Sequence, residues 1–174
     1  MNFAIGCAAE MILLPRFQLA QVLKTIARKR PTLFPVVPTL INALNHDPQT
    51  AKHDLSSLRC CISGGAPLPT EVKQRFEDLT GCVVVEGYGL SEAAPVVTCN
   101  PPEGQNKPGS IGLPLPGTTV EIRALDGSGR ALPPGELGEI GVRGPQVMLG
   151  YWERPEETAS VLDNGLLHTG DVGY

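Results

Sequence analysis

The chain has 174 residues, of which 41% are hydrophobic and 18% are charged, and its formal net charge is -4. This length suits one ordinary domain or two small ones, and the hydrophobic fraction is sufficient for a packed core. The composition argues against a disordered chain, and the lack of a basic stripe predicts no nucleic-acid partner. No apolar run is long enough to span a membrane, and the amino terminus lacks the basic segment of a secretory signal.

Five cysteines are present, and no two of them are spaced as a CxxC pair. Cys60, Cys61 and Cys82 stand in apolar runs that resemble strands. An odd number of cysteines without metal-binding spacing predicts reduced thiols rather than disulfides or a zinc site. Reduced thiols are typical of a cytoplasmic protein, which is the location that we expect.

Residues 1–103 alternate between helical and extended patterns, which predicts an α/β subdomain with a parallel sheet flanked by helices. The predicted helices cover Phe3–Ala9, the stretch that contains Leu19, Val22, Leu23 and Ile26, the stretch that begins at Pro38, and the stretch from Pro69 to a stop at Gly81. The predicted strands are Met11–Leu14, Thr32–Val37, Arg59–Ser63 and Val83–Val85. The last strand is wholly apolar, as expected in a sheet covered on both faces.

Glycine and proline become dense near residue 101, and the pattern changes to short alternating runs. Thr118–Leu125 and Glu136–Arg143 indicate antiparallel strands, and one short helix is predicted over Pro155–Leu162. Residues 104–174 are therefore predicted to form a small antiparallel, barrel-like β subdomain. In this subdomain Tyr151 and Trp152 are expected to contribute to the core.

The segment Glu86–Glu92 directly follows the apolar strand, and ligands of open α/β sheets bind beyond the carboxyl ends of strands. Gly87 and Gly89 allow a tight turn and a close approach of the backbone. Tyr88 offers a flat ring that can stack on a base. Glu92 offers a hard carboxylate of the kind that suits Mg²⁺.

Three interpretations of this segment compete. A dinucleotide-binding fingerprint would need a third glycine where Glu92 stands. A hydrolase nucleophile elbow would use Ser91, with Asp163 and His168 following in a suitable order. An elbow requires a helix directly after the serine, and Pro95 leaves almost no room for one. The third interpretation is a nucleotide site of a different family.

Four motifs resemble, in order, those of the adenylate-forming superfamily, which includes acyl-CoA synthetases, luciferases and the adenylation domains of peptide synthetases. They are Ser63–Leu68, Glu86–Pro95, Gly135–Ile140 together with Gly150–Trp152, and His168–Asp171. Members of the family usually have threonine where Ser91 stands and commonly have tryptophan where Leu166 stands. The run Gly144–Trp152 looks most like bacterial long-chain fatty acyl-CoA synthetases, while medium-chain and aryl acids stay open as substrates.

The resemblance implies a role for each matching residue. Tyr88 stacks on the adenine of ATP, and Asp171 accepts hydrogen bonds from both ribose hydroxyls. Ser91 and Glu92 are the implied catalytic residues, Ser91 at the α-phosphate or the substrate carboxylate and Glu92 on Mg²⁺. The other implied ATP-binding residues are Gly64, Gly65, Ala66, Glu86, Gly87 and Gly89. This assignment requires that Tyr88 and Asp171 lie close enough to share one nucleoside.

Plain structural interpretations stay open for the same residues. Tyr88 can pack at a strand end, Glu92 can be a solvated loop carboxylate, and Asp171 can cap a turn. The pair Gly64 and Gly65 can be a turn that ends a strand.

The reaction implied by the resemblance has two steps and uses ATP, Mg²⁺ and coenzyme A. A fatty acid or another carboxylate gives acyl-AMP and pyrophosphate, and coenzyme A then displaces AMP to form a thioester. The family's phosphate-binding loop and its carboxy-terminal catalytic lysine are not found in these 174 residues. We therefore expect an internal segment of the large amino-terminal domain of a parent ligase, with negligible activity of its own.

Two further questions stay open at this point. The resemblance allows peripheral membrane association of the parent ligase, and it allows a homo-oligomer. From a different class of function, the alternative is a non-catalytic module that binds a nucleotide or an acyl group.

Overall fold

The computed structural model describes residues 2–174, with side chains described from Ala4 onward. By its packing the chain divides into two compact units, Met1–Val84 and Val85–Tyr174. We predict a subdomain boundary after residue 103, where a parallel sheet gives way to an antiparallel one, and this boundary stays a prediction. None of the helices in the described part of the chain combines the length and the apolar character needed to cross a membrane.

The first unit combines helices with parallel strands, as the alternating pattern predicts. Its helices are α1 (Asn2–Gly6), α2 (Leu19–Lys29), α3 (Pro38–His46) and α4 (Thr70–Thr80). Its strands are β1 (Leu33–Val36), β2 (Cys60–Ser63) and the first residues of β3 (Val83–Gly89), in the order β1-β2-β3. Strands β1 and β2 run parallel, in a register that pairs Leu33 with Cys60.

The core of the first unit forms where the apolar faces of these elements meet. Helix α2 buries Val22, Leu23 and Ile26, and its basic last turn complements the helix dipole. Phe76 of α4 is the largest fully buried side chain. The remaining buried members of this cluster are Val36, Ile41, Leu44, Leu55, Leu58, Cys61, Leu68, Cys82 and Val84.

Two buried cysteines of the first unit lie side by side. The Sγ atoms of Cys61 and Cys82 are 3.5 Å apart, and both thiols are free. The hydrogen bond that the Cys61 thiol shares with the Cys82 sulfur and the burial of the group raise the pKa of Cys61, so that this thiol stays protonated. The expectation of reduced thiols stays a prediction.

Two predictions at the start of the first unit are wrong. The predicted strand Met11–Leu14 is irregular, and Leu13 is 72% exposed, so no neighbouring element covers one of its faces. The predicted helix over Phe3–Ala9 ends at Gly6, because Ala8 adopts a left-handed backbone conformation that stops the helix.

The second unit is built from antiparallel strands and one short helix. Within it β3 pairs with β4 (Val96–Cys99), and β4 pairs with β5 (Leu113–Pro114). A separate four-stranded sheet has the order β6-β7-β9-β8. Its strands are β6 (Thr119–Arg123), β7 (Gly138–Arg143), β8 (Leu162–Asp163) and β9 (Leu166–Gly173), and α5 (Pro155–Val161) precedes β8.

The core of the second unit does not include Trp152, and that prediction is wrong. Trp152 is 87% exposed and Tyr151 is 37% exposed. Both residues lie in the segment between β7 and α5, outside any strand. The buried cluster instead consists of Ala93, Val97, Ile140, Val142 and Leu167.

Candidate functional site

Tyr88 and Asp171 meet in the second unit. The Tyr88 hydroxyl donates a hydrogen bond to Asp171 Oδ2 at 2.7 Å. This contact engages one carboxylate oxygen of the exposed Asp171, so Oδ1 is the oxygen left to accept from a ligand hydroxyl. The aromatic ring and the anionic acceptor are therefore close enough to bind one nucleoside.

The half-buried position of Tyr88 fixes its protonation state. Burial, reinforced by the hydrogen-bonded Asp171 carboxylate, raises the pKa of Tyr88 to about 12. The phenol is therefore neutral near pH 7, and it acts as the donor in its contact with Asp171.

The backbone around Tyr88 explains why the next residue, Gly89, is a glycine. Tyr88 pairs with Thr98 of β4, and the register shifts between Tyr88 and Gly89. A Cβ atom at Gly89 would overlap the backbone of Pro95, so this position requires glycine. The close approach that the sequence predicts at Gly89 is thus made by the chain's own backbone.

Asp171 lies in an irregular part of β9 that contacts with β7 hold in place. The Thr169 hydroxyl donates to the Ile140 carbonyl at 2.7 Å, and it accepts from the Asp171 amide at 3.1 Å. The Gly170 amide donates to Glu139 Oε1 at 3.0 Å. Sequence reasoning assigns no role to Glu139, and its place inside the Gly135–Ile140 motif was the available signal.

Ser91 and Glu92 lie on a short 3₁₀ turn, Ser91–Ala93, that follows β3. The Tyr151 hydroxyl donates to Glu92 Oε1 at 2.8 Å, and the Met148 amide donates to the Glu92 carbonyl at 2.7 Å. The hydrogen bond to Glu92 raises the pKa of Tyr151. Ala93 anchors the turn in the buried cluster, whereas Ser91 is exposed.

Glu92 has the chemistry of a magnesium ligand. With Oε1 engaged by Tyr151, Oε2 is the carboxylate oxygen left for a cation. Across residues 2–174 no group of three or more His, Cys, Asp or Glu side chains could hold a metal. A cation at Glu92 would therefore complete its shell with phosphate and water oxygens, which is how Mg²⁺ is usually bound. The residues present fit this ion.

Glu86, which the resemblance places in the nucleotide site, makes contacts with a nearby loop. Its Oε1 accepts from the Gly109 amide at 3.2 Å, and its carbonyl accepts from the Asn100 amide at 2.8 Å. Gly87 pairs with Cys99 of β4. These contacts give Glu86 and Gly87 a structural role beside any role in ligand binding.

Gly64, Gly65 and Ala66 belong to the first unit and directly follow β2. The Gly64 amide donates to the Val36 carbonyl at 3.3 Å, and Gly65 has a φ of 82°. The hydroxyl of the preceding Ser63 is buried and has no hydrogen-bond partner among the described residues. The segment therefore forms a turn at the end of a parallel strand.

The contacts of His168 do not form a hydrolase triad. His168 Nδ1 lies 2.8 Å from Glu139 Oε2, whereas Asp163 Oδ1 accepts from the Asn164 side chain. Ser91 is followed by a single 3₁₀ turn rather than by the helix that a nucleophile elbow requires. The geometry favours the nucleotide-site interpretation over the hydrolase.

The chain is similar in sequence to enzymes that bind AMP or form acyl-CoA thioesters. A sequence model described as AMP-binding enzyme matches residues 1–152. The chain is 54% identical to a long-chain-fatty-acid–CoA ligase of Bacillus subtilis (strain 168) over 174 residues, which cover 100% of this chain and 31% of that ligase. It is 44% identical over 163 residues to a feruloyl-CoA synthase of an Amycolatopsis species, covering 93% of this chain and 33% of the relative. The chain thus spans about a third of the length of these curated relatives.

Solved structures share the architecture. An ATP-bound MatB from Rhodopseudomonas palustris aligns with a TM-score of 0.90 and 36% identity, over 99% of this chain and 34% of the other. The anthranilate CoA ligase AuaEII in complex with anthranoyl-AMP aligns with a TM-score of 0.88 and 32% identity, over 94% of this chain and 32% of the other. These alignments confirm the predicted fold class, an α/β layer with helices followed by a small antiparallel β portion.

Proposed function

The chain belongs to the AMP-binding enzyme family, and we propose that it supplies the adenosine-binding and magnesium-binding residues of a long-chain-fatty-acid–CoA ligase. The observation that carries the proposal is the 2.7 Å hydrogen bond between Tyr88 and Asp171. Because of this contact, a base on the Tyr88 ring would have its ribose near the Asp171 carboxylate. The 54% identity to the Bacillus subtilis ligase over the full chain supports the fatty acid as substrate, against 44% for the feruloyl-CoA synthase.

The proposed reaction transfers an acyl group in two steps. A carboxylate oxygen of the fatty acid attacks the α-phosphorus of ATP, so that acyl-AMP forms and pyrophosphate leaves. The sulfur of coenzyme A then attacks the acyl carbon, so that the thioester forms, AMP leaves and the thiol proton passes to solvent. Mg²⁺, when bound, would neutralise negative charge on the phosphate oxygens.

Each proposed residue acts through a specific atom. Asp171 Oδ1 accepts from the ribose hydroxyls while Oδ2 is held by Tyr88. The exposed Ser91 hydroxyl donates to an α-phosphate oxygen or to the acid before the attack, and Glu92 Oε2 binds the magnesium ion. Gly64, Gly65 and Ala66 remain proposed as backbone lining for the adenine and the acyl chain.

Calorimetric titration of the chain with AMP tests this proposal. Asp171→Asn keeps the shape of the side chain but removes its charge. A charge-assisted hydrogen bond contributes about 1.5–3 kcal/mol, so we expect AMP affinity to fall roughly 10-fold or more. The matched control is Asp163→Asn at another exposed aspartate, which should leave AMP affinity unchanged. Equal AMP affinity for the wild-type chain and Asp171→Asn would contradict the proposed site.

Three properties of the whole protein remain proposals. A cytoplasmic location is supported by Cys61 and Cys82, whose sulfur atoms lie 3.5 Å apart without a disulfide. Peripheral membrane association is tested by sedimentation of the protein with phospholipid vesicles. Self-association is tested by light scattering over a range of protein concentrations.

A further inference from the structure

One segment of the second unit contacts both the side chain and the backbone of Glu92. This segment, residues 144–154, lies between β7 and α5 and is called here the covering segment. Within it the Tyr151 hydroxyl donates to Glu92 Oε1 at 2.8 Å. The Met148 amide donates to the Glu92 carbonyl at 2.7 Å. The carboxylate and its own peptide unit are therefore both fixed by the covering segment.

The covering segment is itself anchored on both sides of these contacts. On one side, the Gln146 side chain donates to the Thr118 hydroxyl at 2.7 Å. On the other side, the Tyr151 amide donates to the Thr158 hydroxyl at 2.9 Å. A Cβ atom at Gly150 would lie 2.8 Å from the Thr158 Cγ2 atom, so the close packing there requires glycine. The Tyr151 hydroxyl is thus presented from a fixed backbone.

The environment of Tyr151 indicates that its hydroxyl matters more than its ring. The ring is 37% exposed and is absent from the buried cluster of the second unit. The neighbouring Trp152 is 87% exposed, so neither of these two residues belongs to the buried cluster. The only hydrogen bond of the Tyr151 hydroxyl among the described residues is the one to Glu92.

We propose that Tyr151 is a positioning residue that holds Glu92 Oε1 so that Oε2 faces the magnesium ion carried by the nucleotide. This inference rests on the proposed function, because it assumes that Glu92 binds the ion. Carboxylate ligands are commonly oriented by a hydrogen-bond donor on the second oxygen, and loss of that donor typically lowers metal affinity about 10–100-fold.

The test separates magnesium-dependent binding from binding of the nucleotide alone. ATP affinity of the whole chain is measured by calorimetry in excess Mg²⁺ and again in EDTA. For Tyr151→Phe, which removes only the hydroxyl, we expect the gain from Mg²⁺ to fall about 10-fold while the affinity in EDTA is unchanged. The matched control is Tyr174→Phe, at a tyrosine that is 85% exposed, and it should keep both affinities.

Amide hydrogen exchange at Met148 reports whether the covering segment still contacts Glu92 in Tyr151→Phe. Unchanged exchange together with the reduced magnesium gain supports the positioning role. A wild-type magnesium gain in Tyr151→Phe overturns the inference and leaves the proposed function intact. Equal losses in Mg²⁺ and in EDTA also overturn it, because they indicate a purely structural role. A wild-type chain without any magnesium gain contradicts the magnesium part of the proposed function, and the inference fails with it.

Discussion

Tyr88 couples protonation to folding in this chain. Its pKa is raised mainly by burial from the ordinary 10.0 to about 12. The folded chain therefore keeps the phenol proton at pH values where the unfolded chain releases it. The stabilising contribution of Tyr88 is complete below pH 10, and it is lost as the pH rises from about 10 to about 12.

We expect Tyr88 to ionise near pH 12 in an absorbance titration of the folded chain, in which the pKa of Tyr151 is also raised. In Tyr88→Phe the transition near pH 12 should be absent, because that proton is gone. The free energy of unfolding of this variant should also fall less than that of the wild type between pH 10 and pH 12. Tyr174→Phe serves as the control and should retain the late transition. Ionisation of all three tyrosines at the ordinary value would contradict the raised pKa of Tyr88.

At the scale of elements, the pairing of β7 with β9 positions Asp171 in the candidate site. The register between these strands shifts between Glu139 and Gly141, and the Glu139 carboxylate bridges the irregular region to His168 and Gly170. In this irregular part of β9 the Glu139 carboxylate accepts hydrogen bonds where the regular backbone pairing is interrupted. The position of Asp171 therefore depends on an acidic residue in the neighbouring strand.

We expect Glu139→Ala to loosen this irregular part of β9. The His168 and Gly170 donors would lose their acceptor, which costs about 1–3 kcal/mol of the free energy of unfolding for a partly buried group. Amide exchange at Gly170 and Asp171 should accelerate, and AMP affinity should fall with it. Glu136→Ala, at an exposed glutamate, is the control and should change stability by less than about 0.5 kcal/mol. Unchanged exchange at Gly170 in Glu139→Ala would show that the strands position Asp171 unaided.

At the scale of the whole molecule, local sequence patterns predict most elements but not the irregular segments. The spacing of Val22, Leu23 and Ile26 predicts α2 because one helix face is buried against a core. Prediction of burial from periodicity fails at Leu13, which is apolar but exposed. It also fails at the exposed Trp152, which lies in an irregular segment without a repeating pattern. Strand β9 was not predicted, because its glycine-containing motif does not alternate.

The candidate site was predicted only in part, for a related reason. Tyr88 and Asp171 are 83 residues apart, and their proximity was expected from the family resemblance rather than from local pattern. The contact between Tyr151 and Glu92 joins residues 59 positions apart and was not expected at all. Periodicity reports only which face of an element is buried, so contacts between distant irregular segments have no local signature.

The proposed substrate is tested in a protein of the relatives' full length. The 174 residues contain neither the family's phosphate-binding loop nor its catalytic lysine, so we expect no acyl-CoA formation from the chain alone. Pyrophosphate release at a rate near that of a ligase would contradict this expectation. The sharper experiment replaces the matching 31% of the Bacillus subtilis ligase with this chain.

We expect the hybrid protein to form acyl-CoA from long-chain fatty acids and not from ferulate. Asp171→Asn in the hybrid should raise the KM for ATP roughly 10-fold, since the ribose loses its anionic acceptor, whereas Asp163→Asn should not. A hybrid that accepts ferulate, when the Bacillus subtilis ligase does not, would show that these residues carry aryl specificity. In that case the adenosine site would stand, and the fatty acid would be the part of the proposal that fails. The same assay of the hybrid protein therefore tests substrate choice, through the acid that is used, separately from nucleotide binding, through the KM for ATP.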